Sequence, residues 1–225
     1  MKTFFETIPQ NVFRIFTGRN LVWQVVAIFL TMVFVVMGLD WIVYEFFFKS
    51  FIYGWFFPGA GFLGFILPLT IPLSLLLIGH MRKDTVIERK AWTIAQAALL
   101  GLLVSFFYKA LTGRPGPELG EIISGENISQ VFRFGFLRGG VFWGWPSSHT
   151  TVAFSVAAAM SILYKENKII GLLSFLVAAY IGFGAAISFH WFSDGIAGLI
   201  FGTIVGSVVG KTFWEKKLKD AYNKE

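Results

Sequence analysis

Six apolar segments constrain the fold of this 225-residue chain more than any other feature. They lie at 21–43, 60–81, 91–109, 149–164, 168–188 and 192–213. A helix needs about 20 mostly apolar residues to cross a bilayer. Backbone polar groups in lipid need partners within their own segment, and a helix provides them. The sequence therefore predicts an all-α, polytopic membrane protein built as a bundle of six transmembrane helices.

The composition agrees with a membrane protein. Hydrophobic residues make up 56% of the chain and charged residues 14%, which is too little charge for a water-soluble domain of this length. The net charge of +6 comes from basic residues in short loops, which is typical of membrane orientation rather than of nucleic-acid binding. The chain has no cysteine, so disulfides and thiolate chemistry are excluded.

The distribution of lysine and arginine predicts the orientation. With six spans both termini share one side, and that side carries 14 of the 19 basic residues. Cytoplasmic loops are enriched in these residues, so we expect both termini to be cytoplasmic. The expected organisation is an interfacial segment at 1–20, one membrane domain at 21–213 with an extracytoplasmic loop at 110–148, and a basic cytoplasmic tail at 214–225. We expect the protein in the cell (inner) membrane, with its site facing the periplasm or the exterior.

Residues capable of chemistry gather at the extracytoplasmic ends of three spans. Lys109 ends the third span, the sequence Pro-Ser-Ser-His at 146–149 opens the fourth, and His190 and Asp194 flank the start of the sixth. Polar residues scattered at random would seldom converge at one depth on one side. We therefore expect these three stretches to form a single site.

The residue types in this site suit phosphate chemistry. His190 and Asp194 are four residues apart and share one helical face, so the carboxylate can accept the Nδ1 proton and leave Nε2 as a nucleophile. Ser147 or Ser148 suits a helix N-cap, and the backbone N–H groups beyond it attract anions. Together with His149, they provide the groups needed to bind a phosphate, attack it and protonate the leaving oxygen.

Each element also has a purely structural interpretation. His190 and Asp194 could be a buried polar pair, Pro-Ser-Ser-His a helix cap, and Lys109 a lysine that extends from the end of a span to the membrane surface. A zinc site from the two histidines and Asp194 is a further alternative. The nearby charges of Lys109 and Arg114 would repel a metal ion, so we predict neither a metal nor another cofactor.

The motifs resemble those of the type 2 phosphatidic acid phosphatase superfamily, which are integral membrane lipid phosphatases. The resemblance runs from the third span to the sixth. It implies that His190 is the nucleophile, that Asp194 orients it, and that His149 is the general acid. It further implies that Lys109 binds phosphate, that Ser147 matches the motif serine, and that catalysis needs no metal.

Four positions depart from the family motifs: Gly116, Phe183, Gly184 and Ser148. The family patterns Lys-x6-Arg-Pro and Ser-Arg-x5-His place phosphate-binding arginines where this chain has Gly116 and Gly184. Ser148 stands where the family has glycine. Hydrogen bonds to charged groups are worth about 1.5–3 kcal/mol each, so the loss of two arginines requires compensation or a changed substrate.

The compensating cations come from the long loop. Arg114 lies two residues before Gly116, and Arg133 and Arg138 lie further along the same loop. We expect Arg114 and Arg138, together with Lys109, Ser147 and Ser148, to contact the phosphate.

These observations lead to a functional hypothesis with two alternatives. The first is hydrolysis of a lipid phosphate or pyrophosphate through a phosphohistidine, with polyprenyl (pyro)phosphate, phosphatidylglycerophosphate, phosphatidic acid or lipid A phosphates as substrates and membrane lipids as surroundings. The second is a lipid phosphotransferase, because sphingomyelin synthases share a similar histidine core without the full arginine set. The third is a non-catalytic lipid-phosphate binder or transporter. No nucleic-acid partner is expected, and the sequence does not predict an oligomeric state.

Overall fold

The computed structural model of the chain describes residues 2–50, 52–117, 126–142 and 144–222. Within these ranges the secondary structure is helical, without strands. The helices are α1 (Lys2–Glu6), α2 (Ile8–Ile15), α3 (Gly18–Val36), α4 (Leu39–Phe48), α5 (Ile52–Arg82), α6 (Thr85–Thr112), α7 (Ser148–Leu163), α8 (Lys168–Ala186) and α9 (Phe192–Tyr222). Residues 118–125 and 143 of the predicted loop, and 223–225 of the predicted tail, lie outside the described residues.

Five helices in the described ranges are long and apolar enough to cross a membrane: Gly18–Val36, Pro58–Arg82, Thr85–Thr112, Lys168–Ala186 and Phe192–Tyr222. These helices confirm the predicted all-α, multi-pass membrane protein. The shorter apolar helix α7 has 16 residues, which corresponds to about 24 Å at 1.5 Å per residue. The hydrocarbon core of a bilayer is about 30 Å thick. The sixth span and the cytoplasmic location of the termini therefore stay predictions.

The first predicted span is interrupted. Helix α3 ends at Val36, and α4 starts at Leu39 after Gly38, whose φ of 68° is left-handed. Glycine adopts this conformation without steric cost, so the chain can change direction here. The prediction of one continuous helix over 21–43 is therefore wrong. The break allows α4 to reach the start of α9, where Asp40 accepts a hydrogen bond from the backbone N–H of Ser193 (2.8 Å).

Helix α7 lies inside the bundle and contacts α5, α6, α8 and α9. Its closest neighbour is α9, which presents Gly198, Gly202 and Gly206 to it at four-residue intervals. A methyl group at Gly202 or Gly206 would overlap backbone carbonyl oxygens of α7. Small residues allow two helices to approach this closely in lipid.

The N-terminal helices and the end of α9 meet at one end of the bundle. The buried Asn11 of α2 donates to Gln96 of α6 (2.8 Å) and accepts from Thr212 of α9 (2.8 Å). Arg14 forms an ion pair with Glu215 (2.6 Å). Helix α9 continues across residue 214 to Tyr222 without interruption. The start of α9 therefore lies at the opposite end of the bundle from the termini.

Candidate active site

The end of α6, the start of α7 and the turn before α9 converge on one site. Lys109 is fully buried near the end of α6, where its Nζ donates to the carbonyl oxygen of Phe142 (3.0 Å). His149 is the second residue of α7, and His190 lies in the turn that precedes α9. Ser105 of α6 lies 2.9 Å from Ser148 of α7 (Oγ to Oγ), and the backbone N–H of Ser147 donates to the carbonyl oxygen of Asp194. The three stretches singled out in the sequence thus meet.

His190 and Asp194 form a buried pair. The His190 Nδ1 lies 3.3 Å from Asp194 Oδ2, and the two side chains are 3% and 0% exposed. The same carboxylate oxygen accepts the backbone N–H of Trp191 (3.2 Å). Burial lowers the pKa of His190 below its ordinary value of 6.5, against the opposing effect of Asp194. At neutral pH the imidazole is therefore uncharged, which is the form that a nucleophile requires.

The Pro-Ser-Ser-His turn connects α7 to α9 through the backbone. Ser147 is the N-cap of α7, and its Oγ accepts the N–H of Thr150 (3.4 Å). The backbone N–H of Ser147 donates to the backbone carbonyl of Asp194 (3.1 Å). The half-buried His149 follows, and its Nδ1 has no hydrogen-bond partner among the described residues. The two histidine-bearing stretches are therefore held together by main-chain contact.

Helix α5, which carries none of the predicted site residues, covers the site. An alanine methyl at Gly64 would lie 2.8 Å from Cδ2 of His149. Phe189 lies between the histidines, with ring centroids 4.9 Å from His149 and 5.4 Å from His190. Ala60 and Gly64 are four residues apart, and this small-residue spacing is the sequence signal that indicates a close helix contact in α5.

Arg114 is buried behind the His190–Asp194 pair. Its Nη1 donates to Asp194 Oδ1 (2.5 Å) and Ser193 Oγ (2.8 Å), and its Nη2 donates to Asp40 Oδ2 (2.7 Å) and the Ser129 carbonyl (2.6 Å). A guanidinium has five N–H donors, so these bonds occupy four of them. Arg114 is thus committed to carboxylates, and its phosphate-binding role stays a prediction. Asp40, to which it also binds, was missed in the sequence.

The remaining predicted ligands lie in different surroundings. Ser148 is half-buried, and its Oγ lies 2.9 Å from Ser105 Oγ. Arg138 is exposed, and its described contacts are with Gly135. The structure therefore brings Ser148 to the site and places Arg138 at the surface.

The two glycines at the family's arginine positions differ in the space around them. Gly184 lies in the contact between α8 and α5, where an added methyl would overlap the side chain of Ala60. Gly116 lies beside the turn that carries His190, and the nearest atom to an added methyl would be the Phe189 carbonyl oxygen at 3.1 Å. An added methyl is therefore a tight fit at Gly116 and overlaps its neighbour at Gly184.

The described residues contain no group of three or more His, Cys, Asp or Glu side chains that could hold a metal ion. Both buried carboxylates of the site, Asp40 and Asp194, bind Arg114, whereas the Lys109 ammonium binds a backbone carbonyl. This arrangement suits an anionic ligand.

Comparisons with known proteins agree with the motifs. The PAP2 superfamily model matches residues 90–218, or 129 of the 225 residues, and this range includes Lys109, His149, His190 and Asp194. No curated protein and no solved structure matches the chain. Members of this superfamily are generally phosphatases, and lipid phosphates are their general substrate class. Because more than half of the chain is matched, the protein belongs to the PAP2 superfamily.

Proposed function

We propose that the protein is a metal-independent lipid phosphate phosphatase that works through a phosphohistidine at His190. The observation that carries this proposal is the buried His190–Asp194 pair, held beside His149 and Lys109. Ionisable groups at membrane depth are costly, and they are usually retained for function.

In the first step, Nε2 of His190 attacks phosphorus while Asp194 holds the Nδ1 proton. The phosphorus–oxygen bond to the lipid breaks, and protonated His149 transfers its proton to the leaving oxygen. The phosphorylated imidazole carries positive charge as it forms, and the Asp194 carboxylate stabilises that charge.

In the second step, neutral His149 takes a proton from water as the water oxygen attacks the phosphohistidine. The nitrogen–phosphorus bond breaks, inorganic phosphate leaves, and His149 is again protonated. We propose that Lys109, Ser148 and the backbone N–H groups at the start of α7 bind the phosphoryl oxygens.

An apolar cavity below His149 supports a lipid substrate. It encloses about 220 Å³ between α5, α7 and α8 and is lined by, among others, Leu67, Ala153, Ala157, Ala178 and Ile181. Ile181 would be 2.9 Å from a methyl at Gly64, which itself would touch His149. The cavity thus begins next to the proposed acid and extends into the apolar interior, as a hydrocarbon tail would.

The proposed substrates are polyprenyl (pyro)phosphate, phosphatidylglycerophosphate, phosphatidic acid and lipid A phosphates. The test is phosphate release from each lipid by the purified protein in detergent, with trapping of an acid-labile phosphoenzyme. His190→Ala should abolish both signals. His80→Ala is the matched control, because the side chain of His80 is 86% exposed at the opposite end of α5. Full activity of His190→Ala would show that the phosphohistidine mechanism is wrong.

We also propose that α7 forms the sixth span and that the site faces the exterior or periplasm. Support comes from α7 lying among four longer helices and from the termini lying at the end opposite His190. The chain has no cysteine, so single cysteines can report the topology. Glu126→Cys should react with an impermeant thiol reagent in intact cells, and Glu166→Cys only after lysis. The reverse pattern would place the site in the cytoplasm.

A lipid phosphotransferase is the second candidate. The observation that favours it is glycine at both arginine positions, Gly116 and Gly184, which fits a changed phosphate pocket. Product analysis separates the two functions: free phosphate supports the phosphatase, whereas a newly phosphorylated acceptor supports the transferase. Binding of lipid phosphate without either product would instead favour the third candidate, a non-catalytic binder or transporter.

A further inference from the structure

We propose that Asp40 is a positioning residue that acts through Arg114 on the His190–Asp194 pair. The catalytic consequence of this role rests on the proposed phosphatase function. Asp40 lies outside the matched range 90–218, so family membership assigns it no role.

Asp40 is fully buried and makes three hydrogen bonds at the start of α9. Its Oδ1 accepts the Ser193 N–H (2.8 Å), and its Oδ2 accepts the Ser193 hydroxyl (2.6 Å) and Arg114 Nη2 (2.7 Å). The first N–H groups of a helix lack partners within the helix, and Asp40 satisfies one of them. The carboxylate thus fixes both the helix that carries Asp194 and the guanidinium that contacts it.

The geometry of Arg114 is restricted from both sides. Its guanidinium carbon lies 5.0 Å from the ring centre of Phe132 and 5.8 Å from that of Trp191. These two rings and the four hydrogen bonds hold the planar group between Asp40 and Asp194. Arg114, held in this way, sets the position of Asp194 Oδ1. Because Oδ2 belongs to the same carboxylate, Arg114 also sets the direction in which Oδ2 faces His190.

The charges explain why two carboxylates are needed. Arg114 paired with Asp194 alone would neutralise the carboxylate that must stabilise the positive charge on His190. With Asp40 present, the three groups carry a net charge of −1, so negative charge remains for the imidazole. Removing one partner of a buried ion pair is also costly, since it leaves an uncompensated charge.

The experiment follows the titration of His190 directly. The chain has three histidines, so replacing His80 and His149 with glutamine leaves His190 as the sole histidine signal in NMR. The charged groups that face it in this background are Lys109 from α6, Arg114 from the loop and Asp194 from α9. Asp40→Asn removes negative charge and should lower the pKa of His190 by about half a unit. Arg114→Gln removes positive charge and should raise it.

The two variants are expected to shift the pKa of His190 in opposite directions, which makes the result decisive. Glu45→Gln is the control, because Glu45 lies on the same helix in an exposed pair with Lys49 and should leave the titration unchanged. No shift in Asp40→Asn, or a downward shift in Arg114→Gln, would overturn the positioning role. If Asp40→Asn does not fold, the direction of the His190 pKa shift in Arg114→Gln decides.

Turnover of the otherwise unchanged protein provides the second readout. Asp40→Asn should lower kcat about tenfold and leave KM within about twofold, because Asp40 does not touch the phosphate. A rise in KM with kcat unchanged would also contradict the proposal. If the wild-type protein releases no phosphate from any lipid, the proposed function fails, while the titration still tests the link between Asp40 and His190.

Discussion

Gly64 of α5 lies directly against His149 of α7. A methyl group at residue 64 would be 2.8 Å from the imidazole Cδ2, closer than carbon atoms approach in proteins. Helix α5 therefore contributes the wall that holds His149 in place, although its sequence contains no residue of the catalytic motifs.

Gly64→Ala should lower turnover by displacing His149. Overpacking of this kind costs about 1–3 kcal/mol, and a loss of 1.4 kcal/mol in transition-state stabilisation is tenfold in rate. Gly61→Ala is the matched control, since the nearest atom, Cε1 of Phe189, would lie at an ordinary 3.8 Å. Steady-state kinetics in detergent measures both variants. Equal rates for the two would contradict a wall function for Gly64.

The loss of activity caused by His149→Ala should depend on the leaving group of the substrate. A general acid contributes about 10²–10⁴-fold when the leaving oxygen is a poor leaving group, such as an alkyl alcohol of a lipid. The aryl oxide of an aryl phosphate leaves without protonation, so cleavage of such a substrate should be affected far less. Phosphoenzyme formation from the two substrate types is the measurement. An equal loss for both would indicate that His149 does not donate the proton.

Filling the apolar cavity should select against long lipid tails. Ala178 is buried in the cavity wall on α8, whereas its neighbour Ala179 is exposed on the same helix. Ala178→Leu should raise KM for a long-chain lipid phosphate by about tenfold, as expected for blocked burial of one or two methylene groups at about 0.8 kcal/mol each. A short-chain substrate and the control Ala179→Leu should be unaffected. Unchanged chain-length preference would exclude this cavity as the tail site.

Restoring arginine should have opposite effects at the two glycine positions. Gly116→Arg meets only a tight contact with the Phe189 carbonyl oxygen and should lower the inhibition constant of inorganic phosphate about tenfold, since a charged hydrogen bond is worth about 1.5–3 kcal/mol. In Gly184→Arg the new side chain would overlap Ala60 of α5 and should prevent stable folding. Size-exclusion profiles measure this effect. Tighter phosphate binding in a well-folded Gly184→Arg variant would contradict the close α5–α8 contact.

The pH dependence should follow the burial of His190. Its pKa is lowered below 6.5, and only the neutral imidazole attacks phosphorus. Activity should therefore persist below pH 6.5 and be lost as the pH falls through the lowered pKa. Asp194→Asn removes a group that raises this pKa, so the acid limb of kcat/KM should move to still lower pH while the maximal rate falls. An acid limb above pH 6.5 would contradict a neutral, buried nucleophile.

Local sequence patterns predicted the parts of the site that depend on local geometry. The His190–Asp194 pair and the cap at Ser147 are both present, but His190 lies in the turn before α9 and does not share a helical face with Asp194. The apolar segments likewise predicted most of the helices, because span length is set by the bilayer.

Contacts between distant residues were not predictable in this way. Asp40 and Ser193 are 153 residues apart, and nothing in the local sequence of α4 indicates this pairing. Arg114 was expected at the phosphate because its charge is visible in the sequence, whereas its carboxylate partners depend on the path of the loop. The interruption at Gly38 was missed because apolar residues continue on both sides of it.

The main-chain link between Ser147 and Asp194, with the glycine contacts of α9 behind it, makes α7 and α9 one rigid unit. Transmembrane helices tilt when bilayer thickness changes. Because His149 and His190 are attached to the same unit, such a tilt moves them together. A thicker or thinner membrane therefore changes the depth of both histidines, while the spacing between them stays the same.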